Sequence, residues 1–159
     1  MKRRTLIFKR AISAPDVINE AYDYPDPSSF SRGMRVELPG VTMLFLSGTA
    51  SVDDKGRTIH PGDFPAQCLR TFRNLTALLA SEGASWHDVV RTTCYLKDIK
   101  LYYGTFNRVR TMFMKTIGLD PLPASTGVEA KLCRPDLLVE IEAIAMIPRG
   151  NNKRAKRNK

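Results

Sequence analysis

The sequence predicts an α+β domain: one β-sheet with two helices packed on a single face. Three observations carry that expectation. Two segments repeat their apolar residues at steps of three and four, the period of an amphipathic helix. Several shorter segments alternate apolar with polar residues, the period of a strand. Their order is β-β-α-β-α-β-β, the pattern of an α+β domain with helices on one face of a sheet.

Each element has its own signal. Thr5 to Ala11 reads as a short strand, and Pro15, Pro25 and Pro27 with Ser28 and Ser29 read as loop. Met34–Leu38 and Val41–Ser47 read as two strands around Pro39-Gly40, a hairpin signal. Turn residues fill Val52 to Gly56 before a further extended approach at Arg57-Thr58-Ile59. The first helix is expected over 65–82. Asp63 is placed to cap it, Pro65 sits in its first turn and Gly83 stops it. Its stripe is Phe64, Cys68, Leu69, Phe72, Leu75, Leu78 and Leu79. Val89–Lys97 alternates, with Val90, Thr92, Cys94 and Leu96 assigned to one face. The second stripe, Tyr103, Phe106, Val109, Met112 and Phe113, ends at Gly118. Thr126–Ala130 and Leu137–Ile147 read as the closing strands.

Charge divides the chain differently. The formal net charge of +9 comes from the two ends. Lys2, Arg3, Arg4, Lys9 and Arg10 cluster at one end, and Arg149, Lys153, Arg154, Lys156, Arg157 and Lys159 at the other, with no acid in either stretch. The remaining 14 of the 25 basic residues face all 16 acidic ones, so the body is slightly acidic. Such ends act as solvated tails or as non-specific contacts to an anionic surface. Residues 1–28 are expected to be an N-terminal extension, 29–148 the domain and 149–159 a disordered basic tail.

Composition narrows the class. With 43% hydrophobic and 26% charged residues, the chain carries enough apolar material for a core. No apolar run approaches the ~20 residues that span a bilayer. Leu6–Phe8 falls short of the ~7–15 apolar residues of a signal peptide. Cys68, Cys94 and Cys133 are too widely spaced for a CxxC zinc site and odd in number for a disulfide framework. A reducing, cytoplasmic setting is expected, without a membrane partner. Only His60 and His87 are available to a metal centre or histidine triad, so no metal is expected. His60-Pro61-Gly62 reads as a turn, and His87 as structural. Asn74-Leu75-Thr76 matches a glycosylation sequon but falls inside a helix.

The last strand poses a question. Leu137, Val139, Ile141, Ala143, Ala145 and Ile147 form a wholly apolar face, fit to pack on helices. Leu138, Glu140, Glu142, Ile144 and Met146 form the other. That second face is either solvated with scattered charge, or buried between subunits with a carboxylate lining a pocket. Desolvation there would raise a carboxyl pKa and suit it to acid–base work. Periodicity leaves both readings open.

At this level the chain resembles the Rid family (reactive intermediate deaminases, also called YjgF or L-PSP endoribonucleases). The resemblance runs from about Phe30 to Ile147. Its segments are Leu46-Ser47-Gly48, Ala66-Gln67 with Asn74, Gly83 to Val90, Tyr95-Leu96-Lys97-Asp98, Phe106-Asn107, Pro123-Ala124-Ser125-Thr126, and Val139 to Ala145. It implies a chorismate mutase-like domain whose sheets form a barrel in a homotrimer, with small-metabolite clefts between subunits. It also implies cofactor-free hydrolysis of enamines and imines to keto compounds and ammonia. On that reading the Glu140 face turns toward neighbouring subunits.

The family pattern carries over unevenly. Deaminase members place an arginine directly after Pro-Ala to grip the substrate carboxylate; here that position is Ser125, a neutral hydroxyl. The family cysteine two positions on is Gly127, and the pocket tyrosine is Phe30. Asn107, Ser47, Gly48 and Glu140 match. Arg32 and Arg134 are the candidates to supply the missing charge from another direction. Three segments, Phe30–Met34, Pro123–Val128 and Leu132–Glu140, resemble instead the C-terminal half of chorismatases. In those enzymes a glutamate at the Glu140 position acts as the acid, with a cysteine at the Cys133 position nearby.

The resemblance therefore implies Glu140 and Cys133 as catalytic candidates. It implies Phe30, Ser47, Gly48, Asn107, Ser125, Thr126, Gly127 and Arg134 as substrate-binding ones, acting on an enamine, imine or enol-type substrate. Two other functions stay open: a metabolite-binding protein without turnover, and an RNA-binding or endoribonuclease protein that uses the basic tails.

Overall fold

A computed structural model describes residues 7–24 and 26–149. The basic residues 2–4, the first two residues of the expected Thr5 to Ala11 strand, Pro25 and the tail from 150 onward lie outside the described residues. Six strands form one sheet: β1 (Phe8–Ile12), β2 (Gly33–Leu38), β3 (Val41–Ala50), β4 (Val89–Leu96), β5 (Ala124–Glu129) and β6 (Val139–Pro148). Two long helices, α1 (Phe64–Ser81) and α2 (Ile99–Thr116), complete the α+β domain. The spatial order is β1-β2-β3-β6-β4-β5, antiparallel throughout except for the parallel pair β4–β5.

That order explains why both helices share a face. β6 slots between β3 and β4, antiparallel to each, so β3 and β4 run parallel. Parallel strands need crossover connections, and α1 and α2 are those crossovers. Both advance in the same direction across the sheet, and crossovers of one hand then lay their helices on one side.

Local chemistry sets the helix ends. Asp63 Oδ1 accepts from the Ala66 amide at 3.0 Å, and a proline occupies the first turn of α1. Such a cap contributes about 1 kcal/mol. Gly83, at φ +69°, turns the chain out of α1 in the left-handed region that glycine adopts without a Cβ penalty. Asp98 caps α2 through the Leu101 amide at 2.8 Å.

The core lies between the helices and the apolar face of the sheet. Val139, Ile141, Ala143 and Ala145 of β6 are buried there with Leu44, Leu46, Cys94 and Leu96. Phe72 stacks on Phe113 with centroids 4.6 Å apart, and Trp86 meets both edge-on at 5.7 and 5.4 Å. Two buried amide side chains tie α1 to the strands. Asn74 sits in the core and donates to the Ala50 and Val52 carbonyls at 2.9 Å each, so the asparagine of the sequon is buried. Gln67 donates to the Asp136 carbonyl at 2.8 Å and accepts from the Leu138 amide at 2.9 Å, holding the start of β6 to α1.

Four expected core positions differ. Leu69, Tyr103 and Met112 are exposed, because both stripes rotate away from them. In α1 the buried face runs through Cys68, Thr71, Phe72 and Leu75, and in α2 through Phe106, Val109 and Phe113. On β4 the register against β6 shifts between Val89 and Arg91. This irregularity turns Val89 into the core and leaves Val90 exposed, where strict alternation put Val90 inside. β6 begins at Val139, and Leu137 and Leu138 are buried just ahead of it.

Candidate functional site

The face of the sheet opposite the helices carries Glu140. Its β6 neighbours across the ladder are Ala50 of β3 and Tyr95 of β4. Alternation puts Glu142, Ile144, Tyr95, Thr93 and Thr126 on the same open face, because Val139, Ile141 and Ala143 between them pack inward. Glu140 is half-buried. Its carboxyl pKa is raised, first by loss of hydration and then by the Glu142 charge, while Arg32 pulls it the other way. The Tyr95 hydroxyl is raised as well, by burial and by the two glutamates.

A bulge shapes the wall beside Glu140. Between Leu46 and Thr49 the β3–β6 register slips, placing one extra residue on β3 at Ser47-Gly48. Gly48 lies directly against the Glu140 carboxylate. A Cβ at position 48 would overlap Oε1 and stand 2.9 Å from Cδ. Ser47 ties this wall to the preceding loop: its hydroxyl donates to the Ser31 carbonyl at 2.7 Å and its amide to the Arg32 carbonyl at 3.0 Å. Phe30 and Ser47 also line a cavity of about 450 Å³ that includes Glu142.

Arg32 is buried behind this wall. Its Nε donates to the Asn19 carbonyl at 2.6 Å, and Nη2 donates to Asn19 Oδ1 at 3.2 Å and to the Tyr24 hydroxyl. Its guanidinium stands over the Tyr24 and Phe30 rings at 5.3 and 5.5 Å. Arg134 covers Tyr24 from elsewhere, 5.2 Å from the ring, and donates to the Gly56 carbonyl at 2.6 Å. Cys133, beside it, is exposed. Cys68 and Cys94 are core residues, and burial pushes the Cys68 thiol up to about 12. Asn19, Glu20 and Tyr24 belong to the proline-rich stretch that reads as loop, so periodicity gave no signal for them. Glu20 is buried with its pKa raised by desolvation, and its Oε1 has no hydrogen-bond partner among the described residues.

The other expected residues gather elsewhere. Ser125 and Gly127, on edge strand β5, face α2. Thr92 donates to Ser125 Oγ at 3.0 Å, and a Cβ at Gly127 would meet the Tyr103 ring at 3.3 Å. Thr126 points to the opposite face, where it accepts from Arg91 at 3.2 Å. Asn107, on α2, is joined to Ser125 through a residue the sequence did not single out. Arg110 donates from Nη1 to Ser125 Oγ at 2.9 Å and from Nη2 to Asn107 Oδ1 at 2.6 Å. Within one chain, then, Phe30, Ser47, Gly48 and Glu140 form one group, and Asn107, Ser125 and Gly127 another, with the sheet between them. Among the described residues no cluster of three or more His, Cys, Asp or Glu could hold a metal ion. No helix there is long and apolar enough to cross a membrane.

Comparison with known proteins agrees with this architecture. The family described as Endoribonuclease L-PSP matches residues 27–147. A RutC family protein of Saccharolobus solfataricus is 33% identical over 116 residues, covering 73% of this chain and 85% of that one. Protein DfrA of Myxococcus xanthus is 34% identical over 111 residues, 70% of this chain and 81% of its own. The crystal structure of the YjgF gene product from E. coli superposes with a TM-score of 0.67 at 28% identity, covering 86% of this chain and 97% of that one. The match spans strands β2 to β6 with both helices and the residues around Glu140, and the chain belongs to the Endoribonuclease L-PSP family, the Rid/YjgF proteins.

Proposed function

We propose that this protein is a cytoplasmic, cofactor-free hydrolase of a small enamine, imine or enol-type metabolite, with Glu140 as its proton-transfer group. The observation that carries the reading is the Glu140 carboxyl, seated against Gly48 and raised in pKa by desolvation and by Glu142. A raised pKa favours the acid form relative to a free carboxyl, which suits the group to give and take a proton. As the acid it delivers a proton to the nucleophilic carbon of an enamine, giving the iminium ion and the Glu140 carboxylate. As the carboxylate it accepts a proton from water as the oxygen attacks the imine carbon. Returned to the amine nitrogen, that proton lets the C–N bond break; the carbinol O–H proton passes to the Glu140 carboxylate, leaving a carbonyl product, ammonia and the acid form of Glu140.

The working unit of the proposal is a homotrimer. The open sheet face carries Phe45, Val128 and Met146 with large exposed area, beside the half-buried Ile144. Apolar area of this kind on a sheet marks an association surface. Assembly through it offers a way for the Glu140 group of one chain to meet the Asn107–Ser125 group of the next, which a single chain keeps apart.

The test is hydrolysis of 2-aminoacrylate, generated in situ from serine by a dehydratase, with pyruvate and ammonia release followed. Wild type accelerates it. Glu140→Gln loses at least 100-fold in rate while its melting temperature does not fall and its mass in solution is unchanged. Equal rates for the two proteins remove Glu140 from the chemistry. No acceleration of any imine or enol ether by wild type removes the hydrolase reading. A light-scattering mass of one 17.9 kDa chain instead of three removes the trimer.

A further inference from the structure

Arg32 is a buried cation without a close counter-ion. It is 3% exposed, and among the described residues no carboxylate comes within 4.0 Å of it. Its hydrogen bonds go to neutral acceptors: the Asn19 carbonyl, Asn19 Oδ1 and the Tyr24 hydroxyl. An unpaired buried charge is costly, so a compensating charge is expected nearby. Glu20 is the group placed to supply it. It follows Asn19 in the chain and is 6% exposed, and its Oε1 has no hydrogen-bond partner among the described residues.

The same cation stands behind the Glu140 wall. Its carbonyl accepts from the Ser47 amide at 3.0 Å, and the next residue of that bulge, Gly48, lies against the Glu140 carboxylate. Three hydrogen bonds and two aromatic rings, Tyr24 at 5.3 Å and Phe30 at 5.5 Å, fix the guanidinium in place. Its charge acts on both acids. Desolvation raises the pKa of Glu20 and of Glu140, and Arg32 opposes that rise in each. The other groups around the pair are Asp23 and Tyr24 of the same loop, and Arg134 at 5.2 Å from the Tyr24 ring. Asp53, whose carbonyl accepts from the Asn19 amide, is paired with Arg57, and Arg70 of α1 donates to the Val17 carbonyl. Glu140 itself is faced by Glu142 of β6 and Tyr95 of β4, while β3 brings the uncharged Gly48.

We infer that Arg32 and Glu20 are positioning residues for Glu140: a buried cation and its counter-charge that act on the reaction through the Glu140 carboxylate, and not as a grip on substrate. Arg32 draws Glu140 toward its carboxylate form, and Glu20, when ionised, offsets that pull. Asn19, Glu20 and Tyr24 all precede residue 27, where the family match begins, so the counter-charge comes from a part of the chain outside that match. The consequence for turnover rests on the Glu140 reading; the titration of Glu140 does not.

The test is a carbon NMR titration of the full-length protein, isotope-labelled at its glutamate carboxyls. The Glu140 signal is the one that Glu140→Gln removes. Arg32→Met removes the positive charge and raises the Glu140 midpoint by about 0.5 pH unit or more, whereas Glu20→Gln removes the opposing charge and lowers it by a similar amount. Arg32→Lys keeps a cation there and holds the midpoint closer to wild type than Arg32→Met does. A purely structural role gives no such pair of opposite signs. Glu20→Gln is nearly isosteric at an oxygen without a partner, so it decides alone if Arg32→Met does not fold. An unmoved midpoint in either folded variant, shifts of the same sign, or an Arg32→Lys midpoint equal to that of Arg32→Met overturns the inference. Where wild type turns over a substrate, the pH–rate profiles of the variants move in the same directions. Because the titration needs no turnover, a failed hydrolase assay leaves these outcomes intact.

Discussion

Gly48 faces the Glu140 carboxylate so closely that a Cβ at position 48 would overlap Oε1 and lie 2.9 Å from Cδ. The glycine is there for space and not for turn geometry, since its φ lies outside the left-handed region. The bulge at Ser47-Gly48 brings backbone up to the acid, and the missing side chain leaves room for the carboxyl.

Gly48→Ala separates position from fold. The atom in the way is the far end of a flexible side chain, so the carboxylate swings aside at small cost. The melting temperature is expected to move by a few degrees at most. Turnover of the reactive substrate is expected to fall at least 10-fold, because misplacement of a proton-transfer group by about 1 Å costs on the order of 100-fold. A Gly48→Ala protein with full activity would show that the carboxylate position is unimportant.

The raised pKa of Glu140 has a stability consequence of fixed sign. A carboxyl whose folded pKa lies above its unfolded value of about 4.3 favours the fold while protonated and loses that contribution as pH rises through the folded pKa. Glu140→Gln stays neutral and has no such loss. Its melting temperature is expected to exceed wild type at pH 8 and to converge with it below about pH 4. Thermal unfolding of both proteins across that range decides it. A Glu140→Gln protein less stable than wild type at pH 8 would mean that the charged form is the one the fold favours.

Asn74 ties α1 to the end of β3 through two carbonyls, at 2.9 Å each, in a fully buried position. Asn74→Ala removes one donor from each carbonyl, while the Val52 amide still donates to Ala50 and Arg70 Nε to Val52. The expected loss is about 2 kcal/mol, since each lost hydrogen bond contributes roughly 1 kcal/mol. Urea denaturation measures it, and a loss below about 1 kcal/mol would mean that water replaces the amide.

Much of the fold was legible because its causes are local. The Asp63 cap, Pro65 in the first turn and Gly83 at the end fix α1 within a residue of its expected bounds. The alternation from Val139 to Ile147 names the buried face of β6 correctly, because a strand has only two sides. Strict alternation places Val90 on the wrong side for the same reason inverted. A register shift changes the alternation without any mark in composition, and only pairing with β6 reveals it. Tyr103 and Met112 fit the helical period, but the period does not say where the stripe's edge falls.

The site divides along the same line. Glu140 stood out in the sequence as a carboxylate in an apolar strand, and the family resemblance gave Gly48, Asn107 and Ser125. Arg110 was one of 25 basic residues with nothing to distinguish it. Its place between Asn107 and Ser125 exists only because the parallel crossover lays α2 alongside β5. Tyr24 and Asn19 likewise gain their meaning from the loop that carries them to Arg32. By itself, the sequence determined the element types, the capped ends, the apolar faces and the family, since these depend on neighbours within a few residues. Only the tertiary structure decided which side chains meet, because sheet order, bulge register and helix placement are settled by long-range packing that no short stretch of chain encodes.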